Sequence, residues 1–323
     1  MDAEEKALLT ESLDRLLQQT PAEDIDAALA DFGWRDLFDD EPAAAVGILF
    51  ELQGRCLAGT SSLDAAVSAA AGVNAVVLFP TLGFATPSSR VEKSGGQLLL
   101  RVEGVAKTRP AAPSRVLVPA VYDDATVLVH TGWPGSWPSA GTGVSPESGW
   151  ARATGEITVA ESELIGDAAA WARVRAAGHR ALAHELTGLA GSMLSLAVDH
   201  VGSRTQFGKL LGGFQAVKHQ LADVRLAQEC AKLAAEAAWE PQDDSEAVAA
   251  ALVAKAAANR FSHAARRNCQ QVLGGMGFTW EHDFHRYLKR SLLLETLLGT
   301  TETLHAELGG RLRAGSLPRL AML

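Results

Sequence analysis

Cysteine, tyrosine and positive charge are all scarce in this chain, and the shortages narrow what it can be. Its 323 residues hold three cysteines, Cys56, Cys230 and Cys269. The number is odd and no Cys-x-x-Cys pair occurs, so neither a disulfide framework nor a zinc site is signalled. Such a chain suits a reducing compartment, and a cytoplasmic location is expected. Lysine and arginine total 29 against 38 aspartates and glutamates, a net charge of −9. A general nucleic-acid binder needs a basic footprint to displace counterions, so this balance argues against one. It leaves room for a local basic patch of the kind a polyanionic coenzyme needs. The opening MDAEEKALLTESLDRLL carries acids where a secretory leader needs bases, and it has no unbroken apolar core. The longest apolar stretches are alanine-rich and broken by charge, so no membrane span of roughly 18 residues is expected.

What is present reads as an ordinary globular protein. Hydrophobic residues make up 47% and charged residues 21%, close to the usual balance. The length suits roughly two domains of about 150 residues. Three textures follow one another. Residues 1–72 are helical in pattern: Leu8, Leu9, Leu13, Leu16 and Leu17 fall on one helical face. Thr20-Pro21-Ala22-Glu23 reads as a capping box with Thr20 as N-cap. Phe32-Gly33-Trp34 then interrupts the period, and another helical run covers 41–57.

Residues 73–165 change to short β-rich runs. These are 73–79, 98–105, 115–121 and 125–130, the last two joined by Tyr122-Asp123-Asp124. Several short strands suggest a small β-barrel or sandwich. The stretch from Gly132 to Trp150, crowded with Gly, Pro, Ser and Trp, reads as loop. Residues 166–323 return to helix. Leu182, Leu186, Leu189, Met193 and Leu196 step at helical intervals, as do Val217, Leu221 and Val224. A long alanine-rich helix over 247–271 closes at Gly274-Gly275, and a last helix begins near Thr300. The order of helices, strands, helices implies an α+β fold with segregated layers, ending in a four-helix bundle.

Three glycine-marked segments could carry chemistry. Ser203-Arg204-Thr205-Gln206-Phe207-Gly208-Lys209, followed by Gly212-Gly213-Phe214-Gln215, sits between two helices. Its cations and free backbone N–H groups suit a phosphate, and Phe207 and Phe214 could flank a flat ring. A packed helix–helix corner explains the same residues. Gln271 through Phe278 is neither a dinucleotide fingerprint nor a P-loop, because a helix precedes it. It is a helix C-cap or a place where backbone approaches a ligand. Gly299-Thr300-Thr301-Glu302 opens the last helix as a plain N-cap or as a polyphosphate contact. His179 and His184 read as packing or surface residues, and His282 and His285 as a solvated loop and helix face. No G-x-S-x-G, H-E-x-x-H or paired-carboxylate arrangement appears.

In sequence and order these segments resemble the flavin-dependent acyl-CoA dehydrogenases. Arg204 to Lys209 with Phe214 to Val224 is similar to that family's C-terminal signature. Gln271 to Phe278 with Tyr287-Leu288-Lys289-Arg290 resembles a second signature, and Gly299 to Glu302 a third. The likeness runs over about residues 166–320. It implies an N-terminal helical domain (1–72), a small middle β domain (73–165), both shortened, and a C-terminal helical bundle (166–323). It also implies FAD bound at a subunit interface, with Arg204, Gln206 and Phe207 toward the pyrophosphate and adenine, and Phe214 and Gln215 close by. Gln271 and Gly275, then Thr300 and Glu302, complete that set, reaching FAD held mainly by a neighbouring subunit.

Departures from the pattern matter most. The family removes an α-proton with a carboxylate that immediately precedes the Gly-Thr pair, while a hydride leaves for the flavin. Here Leu298 stands at that position and Leu297 replaces the neighbouring aromatic. An alternative base position on the preceding long helix counts back to Arg260. Glu295 and Glu302 are nearby in sequence but off the usual position. The T-E-P-x-x-G-S-D and W-I-T-N type segments that cradle the flavin ring are missing, and residues 80–86 are a poor substitute. No catalytic residue is therefore assigned. The pattern resembles the non-catalytic subunit of actinobacterial α2β2 acyl-CoA dehydrogenases, which completes the FAD site of a catalytic partner acting on bulky, steroid-derived acyl-CoA. An electron-transfer flavoprotein or similar acceptor is implied as well. The alternatives are a self-sufficient homo-oligomer with a displaced base, Glu295 or Glu302, and a flavin-free scaffold.

Overall fold

A capping box starts the chain. The Asp2 carboxylate accepts from the backbone of Glu4 and Glu5, and Glu5 accepts from Asp2 N at 2.8 Å. These contacts satisfy N–H groups that a helix start leaves bare, and α1 (Ala3–Gln19) follows. The computed structural model describes residues 1–107, 114–133, 149–240 and 243–315. Thr20 corrects the sequence reading: it closes α1 with its N–H on Leu16 O, and caps nothing downstream. Pro21 disfavours helical geometry at the residue before it, so Thr20 is extended and α1 ends there. A turn from Pro21 to Asp24 then leads into α2 (Ile25–Asp31). Gly33, at φ 81°, separates α2 from α3 (Trp34–Asp40). Pro42 opens α4 (Pro42–Cys56), and α5 (Ser62–Ala69) follows.

The contacts group the chain into two compact units assembled from separated segments. The first comprises Met1–Thr60, Arg180–Pro241 and Ala250–Glu295. It holds α1–α4, most of α6 (Ala168–Ser203), α7 (Gln215–Ala237), most of α8 (Asp244–Leu273) and α9 (Phe284–Thr296). Met193, Ala197, Val224, Ala231, Phe261 and Phe284 pack at its centre. Here α4 crosses α6 backbone to backbone. A Cβ at Gly188 would fall on the Glu51 carbonyl oxygen, and one at Gly54 would meet Leu189 N at 2.7 Å. Only glycine permits this approach. The same unit buries an ion pair, Arg290 with Glu185, and Arg290 also donates to Ala58 O at 2.7 Å.

The second unit comprises Ser61–His179, Gln242–Ala249 and Thr296–Leu323. Among the described residues the β region forms a mixed sheet of seven strands: β1 (Val76–Val77), β2 (Ser89–Ser94), β3 (Gln97–Lys107), β4 (Arg115–Tyr122), β5 (Ala125–Gly132), β6 (Trp150–Val159) and β7 (Leu164–Gly166). The strand order is β6-β3-β2-β4-β5-β7, with β1 parallel to β4. Val91, Leu100, Val116, Val118, Val129 and Ile157 form its core. Asp123 and Asp124, at φ 48° and 62°, make the β4–β5 turn. Successive left-handed residues match the twist of a two-residue hairpin. Residues 134–148, most of the stretch read as loop, lie outside the described residues, as do those after 315.

One expectation about membranes changes. Helix α6 is long and apolar enough to cross a bilayer by length and composition. However, 72% of its apolar window is buried inside the protein, as in a core helix.

Candidate functional site

Where α6 ends, the chain makes a tight hairpin before entering α7. Strands β8 (Thr205–Gln206) and β9 (Lys209–Leu210) pair across Phe207 and Gly208, at φ 52° and 79°. Leu211 N donates to Arg204 O at 2.9 Å and closes the base of the hairpin. The Phe207 ring is 88% exposed at the tip and meets Phe214 edge-on, with ring centroids 6.2 Å apart. Lys209 Nζ lies 4.1 Å from the Phe214 centroid, a cation–π contact. Phe214 caps α7 in extended conformation, and Gln215 is the first residue of that helix and exposed.

The opposite wall comes from the end of α8. Leu273 is buried, Gly274 takes the left-handed conformation at φ 59°, and a 3₁₀ turn over Gly274–Phe278 follows. Among the described residues, apart from its chain neighbours, none comes within 4 Å of a Cβ built at Gly275. Between the two walls runs a groove of about 590 Å³ lined by Arg204, Gln206, Gln220, Gln271, Gly275 and His200, among others. Thus four of the residues singled out in the sequence, Arg204, Gln206, Gln271 and Gly275, meet in one groove, although Arg204 and Gln271 are far apart in the chain. Among the described residues no carboxylate pairs with Arg204, whose side chain is exposed. His200 and Gln220 carried no signal in the sequence beyond their helical spacing. Burial, with His282 and Arg204 nearby, holds the His200 imidazole below its usual pKa.

Thr300 and Glu302 belong to the other unit. Thr300 is the N-cap of α10 (Thr301–Arg313), its Oγ1 accepting from Thr303 N at 3.3 Å, and Glu302 is exposed in the first turn. The loop after Pro80 packs here. Gly83 N donates to Thr296 O at 2.9 Å, and the Ala85 Cβ lies 3.3 Å from a Cβ built at Gly299.

Neither Leu298 nor Arg260 carries a carboxylate. Leu298 is 1% exposed, and its side chain fills the space where a Cβ at Gly178 would stand. Arg260 is exposed on α8, and the residue set against Leu298 is Gly178 of α6. Counting along a helix could not reveal that pairing. Glu295 is bound to Arg266 in an ion pair with both side chains largely buried.

The groove fits one part of a dinucleotide coenzyme. It offers an uncommitted guanidinium, amide side chains and open glycine backbone, the donor set that holds a pyrophosphate and its sugars.

Residues 176–312 match the family model described as Acyl-CoA dehydrogenase, C-terminal domain. Over 121 residues the chain is 43% identical to Acyl-CoA dehydrogenase FadE34 of Mycobacterium tuberculosis, covering 36% of this chain and 17% of that one. Over 110 residues it is 39% identical to Acyl-CoA dehydrogenase IpdE2 of the same organism, covering 34% of this chain and 33% of that one. The matches therefore span a third or less of these relatives' length. Two solved structures align over 97% of the chain. The Tcur3481–Tcur3483 steroid ACAD G363A variant has a TM-score of 0.77 at 24% identity, with 99% of that chain covered. The ChsE4–ChsE5 complex from Mycobacterium tuberculosis has a TM-score of 0.73 at 20% identity, with 98% covered. At such identities the likeness establishes the fold, helices with a mixed sheet.

Proposed function

We propose, from the premise that residues 176–312 belong to the acyl-CoA dehydrogenase C-terminal domain family, that this chain is the FAD-completing, non-catalytic subunit of a heteromeric acyl-CoA dehydrogenase. Members of the family are FAD flavoproteins. The division into a helical region (1–72), a β region (73–165) and a helical bundle (166–323) is part of the proposal. So are a bulky, steroid-derived acyl-CoA substrate, a catalytic partner in an α2β2 assembly, an electron-transfer flavoprotein or similar acceptor, and a cytoplasmic setting. The names of two structural neighbours, one a steroid ACAD and one a two-component complex, support this direction.

The observation that carries the reading is a contrast. The groove keeps Arg204, Gln206, Gln271 and Gly275 together, while position 298 is a buried leucine. Arg204 would bind pyrophosphate with its planar fork, Gln271 would hydrogen-bond beside it, and the bare Gly275 backbone would admit close approach. Phe207 and Phe214 would flank the adenine side, with Gln215 next to them. Thr300 and Glu302 remain assigned to the same coenzyme. Bound FAD supplies a two-electron acceptor for carbon–carbon oxidation. Leu298 can accept no proton, and the Arg266 ion pair keeps Glu295 from serving, so the proton-abstracting carboxylate is assigned to the partner.

The test is co-purification. The chain should carry no flavin when produced alone, and the complex with its catalytic partner should hold about one FAD per heterodimer. Arg204→Ala in the complex should lower flavin occupancy. Stoichiometric flavin on the lone chain that bleaches with acyl-CoA would overturn the reading, as would unchanged occupancy in the Arg204→Ala complex.

A further inference from the structure

The chain carries a net charge of −9, yet among the described residues the groove between α6, α7 and α8 is lined by no aspartate or glutamate. Besides Arg204 it holds one more group able to carry positive charge, His200. Arg204 N donates to His200 O at 2.9 Å, so the two residues stand one helical turn apart and on the same side of α6. The rest of the lining is uncharged, including Gln206 of the hairpin, Val217 and Gln220 of α7, and Gln271 to Met276 at the end of α8.

His200 is half-buried in the last turn of α6. The carbonyl end of a helix favours a cation there. Burial, followed by His282 and Arg204, acts against one and holds the imidazole below the ordinary 6.5, so the ring is neutral at pH 7.5. Arg204 follows α6, and His282 follows the 3₁₀ turn that ends α8. The lining residues of α7 and α8 add no charge of their own. His282 Nδ1 already accepts from Phe284 N at 3.2 Å, which commits the lone pair of that nitrogen. The proton count of His200 is therefore set by two opposed influences, and an anion placed beside it tips the balance. A negative group within about 4–6 Å favours the charged imidazole, and a pyrophosphate brings two such charges.

We propose that His200 is a second pyrophosphate-binding residue of this groove, taking a proton from solvent as the coenzyme binds and then sharing its negative charge with Arg204. The proposal rests on the FAD reading above and adds a regulation to it. Coenzyme binding and protonation favour one another, and the coupling is reciprocal. The complex therefore holds FAD more tightly as pH falls from 8.5 to 6.5. Arg204 is charged throughout that range and contributes no such dependence.

The experiment is calorimetric titration of FAD into the flavin-depleted complex with its catalytic partner, at pH 7.5 in two buffers of different ionisation heat. The heats should differ by an uptake of about half to one proton per FAD, and the dissociation constant should rise about tenfold between pH 6.5 and 8.5. His200→Gln should abolish the uptake and flatten the pH profile. Arg204→Ala should weaken FAD at every pH and keep the uptake. FAD binding without proton uptake overturns the proposal and leaves the FAD reading standing, as does uptake that persists in the His200→Gln complex. If His200→Gln does not assemble, His200→Lys decides in the same way, because lysine stays charged across this range: loss of the uptake supports the proposal and persistence sinks it. A complex that binds no FAD, or whose flavin occupancy ignores Arg204→Ala, removes the FAD reading itself and this proposal with it.

Discussion

His179 donates from Nε2 to the carbonyl oxygen of Leu298 at 3.1 Å. Leu298 is in the left-handed region at φ 61°, and Gly299 follows at φ 120°. A non-glycine residue held there costs about 1–3 kcal/mol and persists only where its surroundings fix it. The buried imidazole is one such fixture. His179→Phe keeps the bulk but strands the carbonyl, so stability should fall by about 1–3 kcal/mol. Urea unfolding of the two proteins measures this.

Restoring a carboxylate at position 298 should not be tolerated well. Its side chain is 1% exposed and lies against Gly178. Leu298→Glu would bury a polar group without a designed partner, at a loss of about 2–4 kcal/mol. The unfolding midpoint should drop accordingly, and an unchanged midpoint would mean that the loop opens to water.

The Arg290–Glu185 pair is buried, with the two residues 8% and 3% exposed. Removing one partner leaves an uncompensated charge, whereas removing both leaves an apolar contact. Arg290→Met should cost about 3–5 kcal/mol. The double variant Arg290→Met/Glu185→Leu should recover most of that loss. A double variant no more stable than the single one would show that the bond to Ala58 O dominates.

Lys255 is fully buried, its Nζ donating to Asn259 Oδ1 at 2.7 Å and to Glu295 O at 3.1 Å. Burial pulls its pKa from the ordinary 10.5 to about 7, against the opposing pull of Glu295. Between those values the unfolded chain holds the proton and the folded chain releases it. Stability from this residue therefore rises with pH across that window. Relative to Lys255→Met, the unaltered chain should gain up to about 1.4 kcal/mol per pH unit between pH 7 and 9. Urea midpoints at pH 7, 8 and 9 test it. A constant difference would mean that Lys255 keeps its charge.

Local signals were readable and distant ones were not. The leucine steps of α6, the start of α7 and the Thr300 cap all follow from helical period and capping chemistry. The sequence SRVEKS of β2 has almost no β character, and it is a strand because β3 and β4 flank it. Strand β6 hides in WARATGEITV, where Gly155 and charged residues break the apolar run, while its long pairing with β3 sustains it. Helix α9 was obscured by the aromatic and histidine-rich segment before it. The groove residues were recognisable as short motifs, but their meeting in one place was not. Likewise the opposition of Gly178 to Leu298 is a property of packing that spacing along the chain cannot encode.

The crossing at Gly54 and Gly188 has a consequence for the alignment of α4 on α6. Side chains usually let two helices slide by small adjustments, but here main chain rests on main chain. Slipping α6 by one residue would bring Thr187 or Leu189 against the Glu51 carbonyl, where even the Cβ of Gly188 has no room. The pair therefore works like a detent with one notch. Since His184 and Glu185 sit just before that notch, their positions are set by two missing methyl groups.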